Sequence, residues 1–378
     1  MSAVAHTTTA ASAQSFEVRP FDAPVGAEII GLDLTRPLSD GDFARVHRAH
    51  LDHALLVFRD QRITPEQQIA FSRRFGPLQI HVLKQFLLAD HPEIFIISNI
   101  IENGQPIGLG DAGKFWHSDL SYKEFPSLGS MLLAQELPEE GGDTLFASQQ
   151  LAYETLPAEL RQAIEGKRAA HSYTARYADE VFAGIRRPTL TEAQLAEVKS
   201  VVHPVVRTHP ETGRKGLFVN ENFTTHILDV PEDESRQILA ELYAHSAKPE
   251  FIYRHQWQPH DMVFWDNRAL IHLATGCPSH LRRRMHRTTI QGDGERFWLQ
   301  LCDEQINFLH LDDEAKEQVL DALLEAVGEP VAIEKGLYVT FNLPPMDVAA
   351  MNALLTRLLR EYYGVPEEET AEIFTEEM

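Results

Sequence analysis

The chain has 378 residues, 43% hydrophobic and 24% charged, an ordinary globular composition in a chain long enough for one large domain plus a smaller unit. Its net charge of −22 argues against nucleic acid and anionic membrane surfaces as partners. Cys277 and Cys302 are the only cysteines, too few for a disulfide framework or a cysteine-based zinc site.

Residues 1–15 are rich in Ser, Thr and Ala, with no Lys or Arg before Arg19 and no apolar run. They read as a disordered leader and not as a signal peptide. No stretch is long and apolar enough to span a bilayer, so a cytoplasmic location is expected. Phe16 to Leu34 alternates apolar and polar residues, which suggests one or two strands. Ser39 with Asp42 three residues later marks a helix start, with the helix running to about His53. Leu55 to Phe58 is a short apolar strand. Thr64-Pro65-Glu66-Gln67 repeats the start signal with Pro at the first helical position, for a helix ending near Gly76. Ile94 to Ser98 is a further strand.

Residues 114 to 122, Lys-Phe-Trp-His-Ser-Asp-Leu-Ser-Tyr, read as a strand bounded by Gly108, Gly110 and Gly113. Residues two apart in a strand share a face, so His117 and Asp119 would aim an imidazole and a carboxylate into one site. Those are two of the three ligands of a facial two-histidine, one-carboxylate centre. Five His-x-acid pairs occur: His50/Asp52, His91/Glu93, His117/Asp119, His209/Glu211 and His310/Asp312. Composition alone makes several of them inevitable. His50 and Asp52 lie in a helical pattern, where i and i+2 do not share a face. His91 and His209 precede proline, and His310 opens an acidic helix. Only the 117/119 pair has strand context on both sides.

Ser130 to Leu137 reads as a strand and Gly141-Gly142-Asp143-Thr144 as a turn. Helices are expected at 155–165, 191–200 and 232–246. Strands are expected at 251–257, 262–265 and 269–273, with a turn at Asp266-Asn267. The longest strand candidate is Leu281 to Gln291. On it Arg283, Met285, Arg287 and Thr289 fall on one face, and the two arginines stand roughly 13 Å apart. If that face is interior, both charges need anionic partners, because a buried unpaired charge is very costly; Arg282 and Arg284 would face out. An exposed basic strand is the plain alternative. His272 taken alone reads equally as a core or surface histidine.

Many strands with helices clustered in insertions suggest a mostly β fold, a jelly-roll core decorated by helices. Residues 294–378 hold 19 acidic and 5 basic residues, a net of −14, which suggests a boundary near 294. Beyond it Leu311 to Val327 reads as an amphipathic helix and Val331 to Leu343 as one or two strands. Asp347 to Tyr363 reads as another helix with an apolar stripe, stopped at Gly364. The expectation is a small packed α+β appendage or oligomerisation element, carrying no recognisable site.

His117-x-Asp119, a distal His272 and Arg283 eleven residues beyond it together resemble the taurine dioxygenase/2,4-dichlorophenoxyacetate dioxygenase family of Fe(II)/2-oxoglutarate enzymes. Phe75-Gly76-Pro77, Phe115-Trp116-His117-Ser118-Asp119, Gly141-Gly142-Asp143-Thr144, Trp265-Asp266-Asn267-Arg268 and Arg282-Arg283-Arg284-Met285-His286-Arg287 carry the likeness over roughly residues 16–293. The resemblance implies a double-stranded β-helix core and an oxidoreductase that converts 2-oxoglutarate and O₂ to succinate and CO₂ while hydroxylating a substrate. It implies Fe(II) held by His117, Asp119 and His272. Arg283 would clamp the distal carboxylate of 2-oxoglutarate and Thr144 would donate to the same carboxylate. His81 and Arg287 match the positions that grip the substrate's anionic head.

Taurine-specific members carry Tyr where this chain has Lys84 and Asn where it has Gly113. The expected substrate is therefore another small anion, a sulfonate, sulfate ester or carboxylate such as an aryloxyalkanoate. A homo-oligomer, dimer or tetramer, is expected. The alternatives are a non-catalytic binding protein on the same barrel, or a different metal chemistry such as zinc-dependent hydrolysis, which would leave Arg283 without a task.

Overall fold

The computed structural model describes residues 13–110, 112–174 and 190–292, together with four short strands nearer the C-terminus. The chain divides into two compact units, Met1–Gly294 and Glu295–Met378. No helix among the described residues is long and apolar enough to cross a membrane.

The first unit is mostly β. Its principal sheet is built from β1 (Glu17–Pro20), β2 (Ala27–Ile30), β3 (Leu55–Phe58), β4 (Leu87–Leu88), β5 (His91–Ser98), β6 (Gly129–Glu136), β9 (Met262–Asp266) and β11 (Arg284–Ile290). They lie in the order β1-β2-β3-β9-β6-β11-β5-β4. All neighbours pair antiparallel except β2 with β3. A second sheet places β7 (Thr144–Ser148) between β8 (Ile252–His255) and β10 (Leu270–Ala274).

The central strands read as unbroken apolar runs because both of their faces are buried. Leu56, Phe58, Met131, Leu133, Met262 and Phe264 form one face, packed with Val46 and Ala49 of α1 (Asp40–His53) and Ile69 and Phe71 of α2 (Pro65–Arg73). Leu55, Val57, Leu132, Ala134, Val263, Trp265 and Met285 form the opposite face, sharing a core with Phe146 of β7 and Leu270 of β10. Period-2 alternation thus turns successive side chains of each strand alternately toward the helices and toward the second sheet. Arg287 pairs with Leu132, so the register of β11 sends this arginine to the second-sheet side.

Both expected helix starts are capped. Ser39 Oγ accepts from Asp42 N at the head of α1, and Thr64 with Gln67 forms a reciprocal capping box at α2; each such cap contributes on the order of 1 kcal/mol. Helix α1 stops at Ala54, which adopts a left-handed conformation with φ 59°. The helix expected at 155–165 is α4 (Ala158–Ile164), which starts only after Pro157, and a short helix that was not expected, α3 (Gln149–Glu154), precedes it. Helices α5 (Glu192–Glu197) and α6 (Glu232–Ser246) lie where expected. Gln14 is already tied down, its backbone N–H donating to Asp42 Oδ2 at 2.8 Å, so the described chain is pinned two residues before Phe16.

In the second unit the strands Leu299–Cys302, Gln305–Phe308, Ala332–Glu334 and Tyr338–Asn342 form one antiparallel sheet. The sequence suggested only the last two. The helices expected at 311–327 and 347–363, and His310, lie outside the described residues.

Candidate metal centre and adjoining cavity

One expectation about the segment 114–122 is overturned: it is not a strand. His117 alone makes an isolated antiparallel bridge, to His272 of β10, and the chain then turns, with Leu120 at φ 57°. The aromatic residues that made the run look strand-like are packed as side chains, Tyr122 against Tyr173 and Phe223 with ring centroids 4.8 Å apart in each case. The bridge does the work assigned to strand periodicity. His117 N donates to His272 O at 3.1 Å and His272 N to His117 O at 2.8 Å. Residues directly opposite in such a pair present their side chains on the same side. The two imidazole centroids are accordingly 4.0 Å apart.

Asp119 closes the triangle. Its Oδ1 lies 3.7 Å from His117 Nε2 and its Oδ2 3.9 Å from His272 Nε2. All three residues are buried, with candidate ligand atoms within 4.8 Å of one another, and they are the only group of three such residues clustered this way among the described residues. The other His-x-acid pairs do not converge. His209, for example, donates from Nε2 to Asp266 Oδ2 (3.0 Å), while its Nδ1 accepts from the backbone of Glu211 and Thr212.

The donor set fits a metal of the two-histidine, one-carboxylate type. His117 Nδ1 lies 2.9 Å from Phe115 O, so the proton belongs on Nδ1 and the Nε2 lone pair faces Asp119. Burial, and then the neighbouring His117, hold His272 well below the ordinary histidine range, which keeps a neutral imidazole available. Burial opposes ionisation of Asp119. Arg287, the two imidazoles and the Ser130 hydroxyl outweigh it and hold the carboxyl below its ordinary range. Ser130 Oγ donates to Asp119 Oδ2 at 2.7 Å and Arg287 Nη1 to Oδ1 at 2.9 Å.

Two residues that the sequence reading did not single out position this triad. Asn267, in the turn after β9, accepts from Asp119 N (3.1 Å) and Trp265 Nε1 (3.0 Å) through Oδ1, and its backbone oxygen accepts from Ser118 Oγ at 2.8 Å. Ser130 on β6 holds the carboxylate itself. Asn267 sits inside the Trp265-Asp266-Asn267-Arg268 motif, which was a signal; Ser130 carried none. Asp266 beside it is saturated, bound by Arg268 through both oxygens and by His209.

His81 and Arg287 are brought together. His81 stacks on Phe95 at 4.0 Å, and the Arg287 guanidinium lies 5.2 Å from the same ring. His81 Nδ1 accepts from Leu83 N at 3.1 Å. Burial and then Arg287 push its pKa down to about 3. At neutral pH it is therefore uncharged, with Nε2–H left as a donor. Lys84 is exposed. Gly113 has φ 78°, and a Cβ there would lie 3.3 Å from Ala274 Cβ and 3.5 Å from His117 Cε1, so its backbone and its closeness to the metal ligand both favour glycine.

Arg283 lines a cavity of about 210 Å³ with Asn99, Lys114, Gly142, Ala274 and Cys277. It is buried and its Nε has no hydrogen-bond partner. No carboxylate among the described residues forms an ion pair with it, and burial pulls its pKa down to about 10. Its backbone is clasped: Asn99 Oδ1 accepts from Arg283 N at 2.9 Å, Asn99 Nδ2 donates to Leu281 O at 2.7 Å and Ser98 Oγ to Arg283 O at 2.8 Å. Arg283 precedes β11, which is shorter than the strand expected over 281–291. Arg282 faces out, in ion pairs with Glu136 and Glu102, whereas Arg284 is half-buried, not outward as expected. Thr144, opposite Ala274 in the second sheet, is buried; its hydroxyl accepts from Trp257 Nε1 at 3.0 Å, leaving its own proton to donate.

A family model described as taurine catabolism dioxygenase TauD, TfdA family matches residues 17–289. The chain is 35% identical over 291 residues to an alpha-ketoglutarate-dependent 2,4-dichlorophenoxyacetate dioxygenase of Cupriavidus pinatubonensis, covering 74% of this chain and 99% of that one. It is 35% identical over 266 residues to pentalenolactone F synthase of Streptomyces arenae, covering 68% and 89%. Among solved structures, AAD-2 in complex with Mn(II) and N-oxalylglycine aligns with a TM-score of 0.62 and 31% identity, covering 74% of this chain and 98% of that one.

Proposed function

Because the chain belongs to the TauD, TfdA dioxygenase family, we propose that it is a 2-oxoglutarate-dependent dioxygenase that hydroxylates a small organic anion at an Fe(II) centre held by His117, Asp119 and His272. The observation that carries this reading is the pairing of that three-ligand cluster with a buried arginine, Arg283, that has no carboxylate partner among the described residues. A buried guanidinium without a counter-ion is costly, and the bidentate fork of arginine suits a carboxylate.

Bound at this centre, iron supplies the oxidative decarboxylation of 2-oxoglutarate by O₂ to succinate and CO₂ and the coupled oxidation of a substrate C–H bond. The protein's own residues bind, orient and keep water out. Arg283 holds the distal carboxylate of 2-oxoglutarate, with Thr144 donating its hydroxyl proton to the same group. Arg287 and the neutral His81, flanking Phe95, hold the anionic head of the substrate by a charge and a hydrogen bond. Tyr122, Tyr173 and Phe223 cover the side next to His117 and exclude water there.

The same reading takes the eight-stranded and three-stranded sheets as the two faces of a jelly roll. The contact of Trp265 with Phe146 and His272 across them supports it. It takes 16–293 as the catalytic domain, supported by the span of the family match. The substrate class is a carboxylate such as an aryloxyalkanoate, a sulfonate or a sulfate ester, each able to place one anion on Arg287. The test is succinate release from 2-oxoglutarate across alkyl sulfonates, sulfate esters and aryloxyalkanoates. At least one class should stimulate release in step with its own oxidation. Release unaffected by every class would contradict the substrate assignment.

A further inference from the structure

Cys277 is a half-buried free thiol, and it lines the Arg283 cavity together with Lys114. It is held there by the backbone. Gly142 N donates to Gly276 O at 2.7 Å and Thr275 N to Asp143 O at 2.9 Å, so the loop after β10 is fastened onto the Gly141-Gly142 turn. A Cβ on Gly141 would lie 3.0 Å from Gly276 O and 3.3 Å from Cys277 Cα, which shows how closely the two segments meet. Asn99, the residue that clasps the Arg283 backbone, also donates through Nδ2 toward Cys277 Sγ at 3.6 Å. The thiol thus stands part-exposed in an electropositive cavity, the surroundings in which reactive cysteines occur. It faces the same space as a buried guanidinium whose Nε lacks a partner.

We propose that Cys277 is an oxidation-sensitive thiol in the wall of the co-substrate cavity, shielded when 2-oxoglutarate is bound and, once oxidised by a peroxide, closing the cavity by supplying Arg283 with an anion of its own. The inference rests on the reading that Arg283 receives 2-oxoglutarate. In the first step the sulfur attacks one peroxide oxygen, the S–O bond forms and the O–O bond breaks. The thiol is oxidised to a sulfenic acid while hydrogen peroxide is reduced, the departing hydroxide taking the thiol proton to leave as water. A second peroxide equivalent oxidises the sulfenic to the sulfinic acid with release of another water. The sulfinate is anionic at neutral pH and offers two oxygens to the guanidinium.

The test uses the full chain loaded with Mn(II), which avoids iron–peroxide chemistry. Iodoacetamide labelling is followed by peptide mass mapping at Cys277 and, as internal reference, Cys302. With 2-oxoglutarate at about ten times its Kd, occupancy should slow labelling of Cys277 about tenfold and leave Cys302 unchanged. In a second arm the protein is treated with hydrogen peroxide, cleared with catalase and titrated with 2-oxoglutarate by calorimetry. The Kd should rise about thirtyfold or more, as when one member of a buried charge pair is no longer available to the other, here Arg283 to the incoming carboxylate, whereas Cys277→Ser should keep the Kd it had before treatment. Equal labelling of Cys277 with and without 2-oxoglutarate overturns the proposal, as does a Cys277→Ser protein that loses affinity as the native protein does. If 2-oxoglutarate binding is indifferent to Arg283→Ala, the reading of the cavity itself has failed; if Arg283→Ala abolishes binding while Cys277 remains unshielded, only the thiol proposal has.

Discussion

Arg268, Arg287 and Arg283, whose side chains are all largely buried, differ in how their charge is answered. Arg268 is saturated, bound to both oxygens of Asp266 and to Glu211, and the surrounding carboxylates raise its pKa further against the effect of burial. Arg287 is half answered, by one oxygen of Asp119. Arg283 has no carboxylate partner among the described residues, and burial depresses its pKa to about 10. Burying a charge is tolerated only with a partner. The series therefore runs from an arginine tied into the fold, through one that shares a carboxylate of the candidate metal cluster, to one with no carboxylate partner among the described residues, which is the feature the proposed co-substrate would answer.

The sharpest way to break that comparison is at the centre. Asp119→Ala removes the shared carboxylate, so metal binding by calorimetry and activity should both fall to background; retained tight metal binding would remove Asp119 from the centre. Next in size, Arg283→Ala should raise the Kd for 2-oxoglutarate about thirtyfold or more, read by calorimetry on the Mn(II)-loaded protein, while metal affinity stays near the native value. Arg287→Ala should impair turnover of the anionic substrate more than it weakens 2-oxoglutarate binding. Equal loss of both would contradict the division of labour between Arg283 and Arg287. Asn267→Ala and Ser130→Ala act through Asp119 and should each lower metal affinity about 10–100-fold, with the metal's spectroscopic signature altered, not merely weakened.

The smallest expected effect concerns stability and pH. His50 is sealed between α1 and the sheet, stacked on Phe264 at 3.8 Å with neither ring nitrogen hydrogen-bonded, and burial pushes its pKa down to about 3. Unfolded, it titrates near 6.5. Between those values the unfolded chain binds the extra proton, so stability is full above about pH 6.5 and falls as pH drops toward 3. His50→Phe should flatten that limb in thermal melts taken across the range. An unchanged slope would show that His50 is not its source.

What the sequence disclosed and what it withheld divide along the same physical line. Residues whose chemistry is unusual where they stand were legible: His117, Asp119, His272, Arg283 and Arg287 form a motif spaced by the chain itself. So were helix ends governed by local hydrogen bonds, as at Ser39 and Thr64. The strand expected at 114–122 was not there, because an aromatic-rich run looks the same whether its backbone pairs along its length or touches β10 once, at His272. Ser130, Asn99 and the backbone role of Asn267 were also hidden. Each acts across the fold, from Asp119 or Arg283, on partners that only the sheet register brings near. Periodicity put Arg283 and Arg287 on one face without deciding whether it was interior, and the structure buries both; it sent Arg284 outward, and the structure leaves that residue half-buried.

The central claim is that the His117–Asp119–His272 cluster and the unanswered Arg283 are two halves of one site for iron and 2-oxoglutarate. Anaerobic titration of Fe(II)-loaded protein with 2-oxoglutarate tests it directly by visible absorption. A saturable charge-transfer band should develop in the native protein, require markedly more 2-oxoglutarate in Arg283→Ala, and be absent in Asp119→Ala. No band in fully iron-loaded native protein would contradict the account.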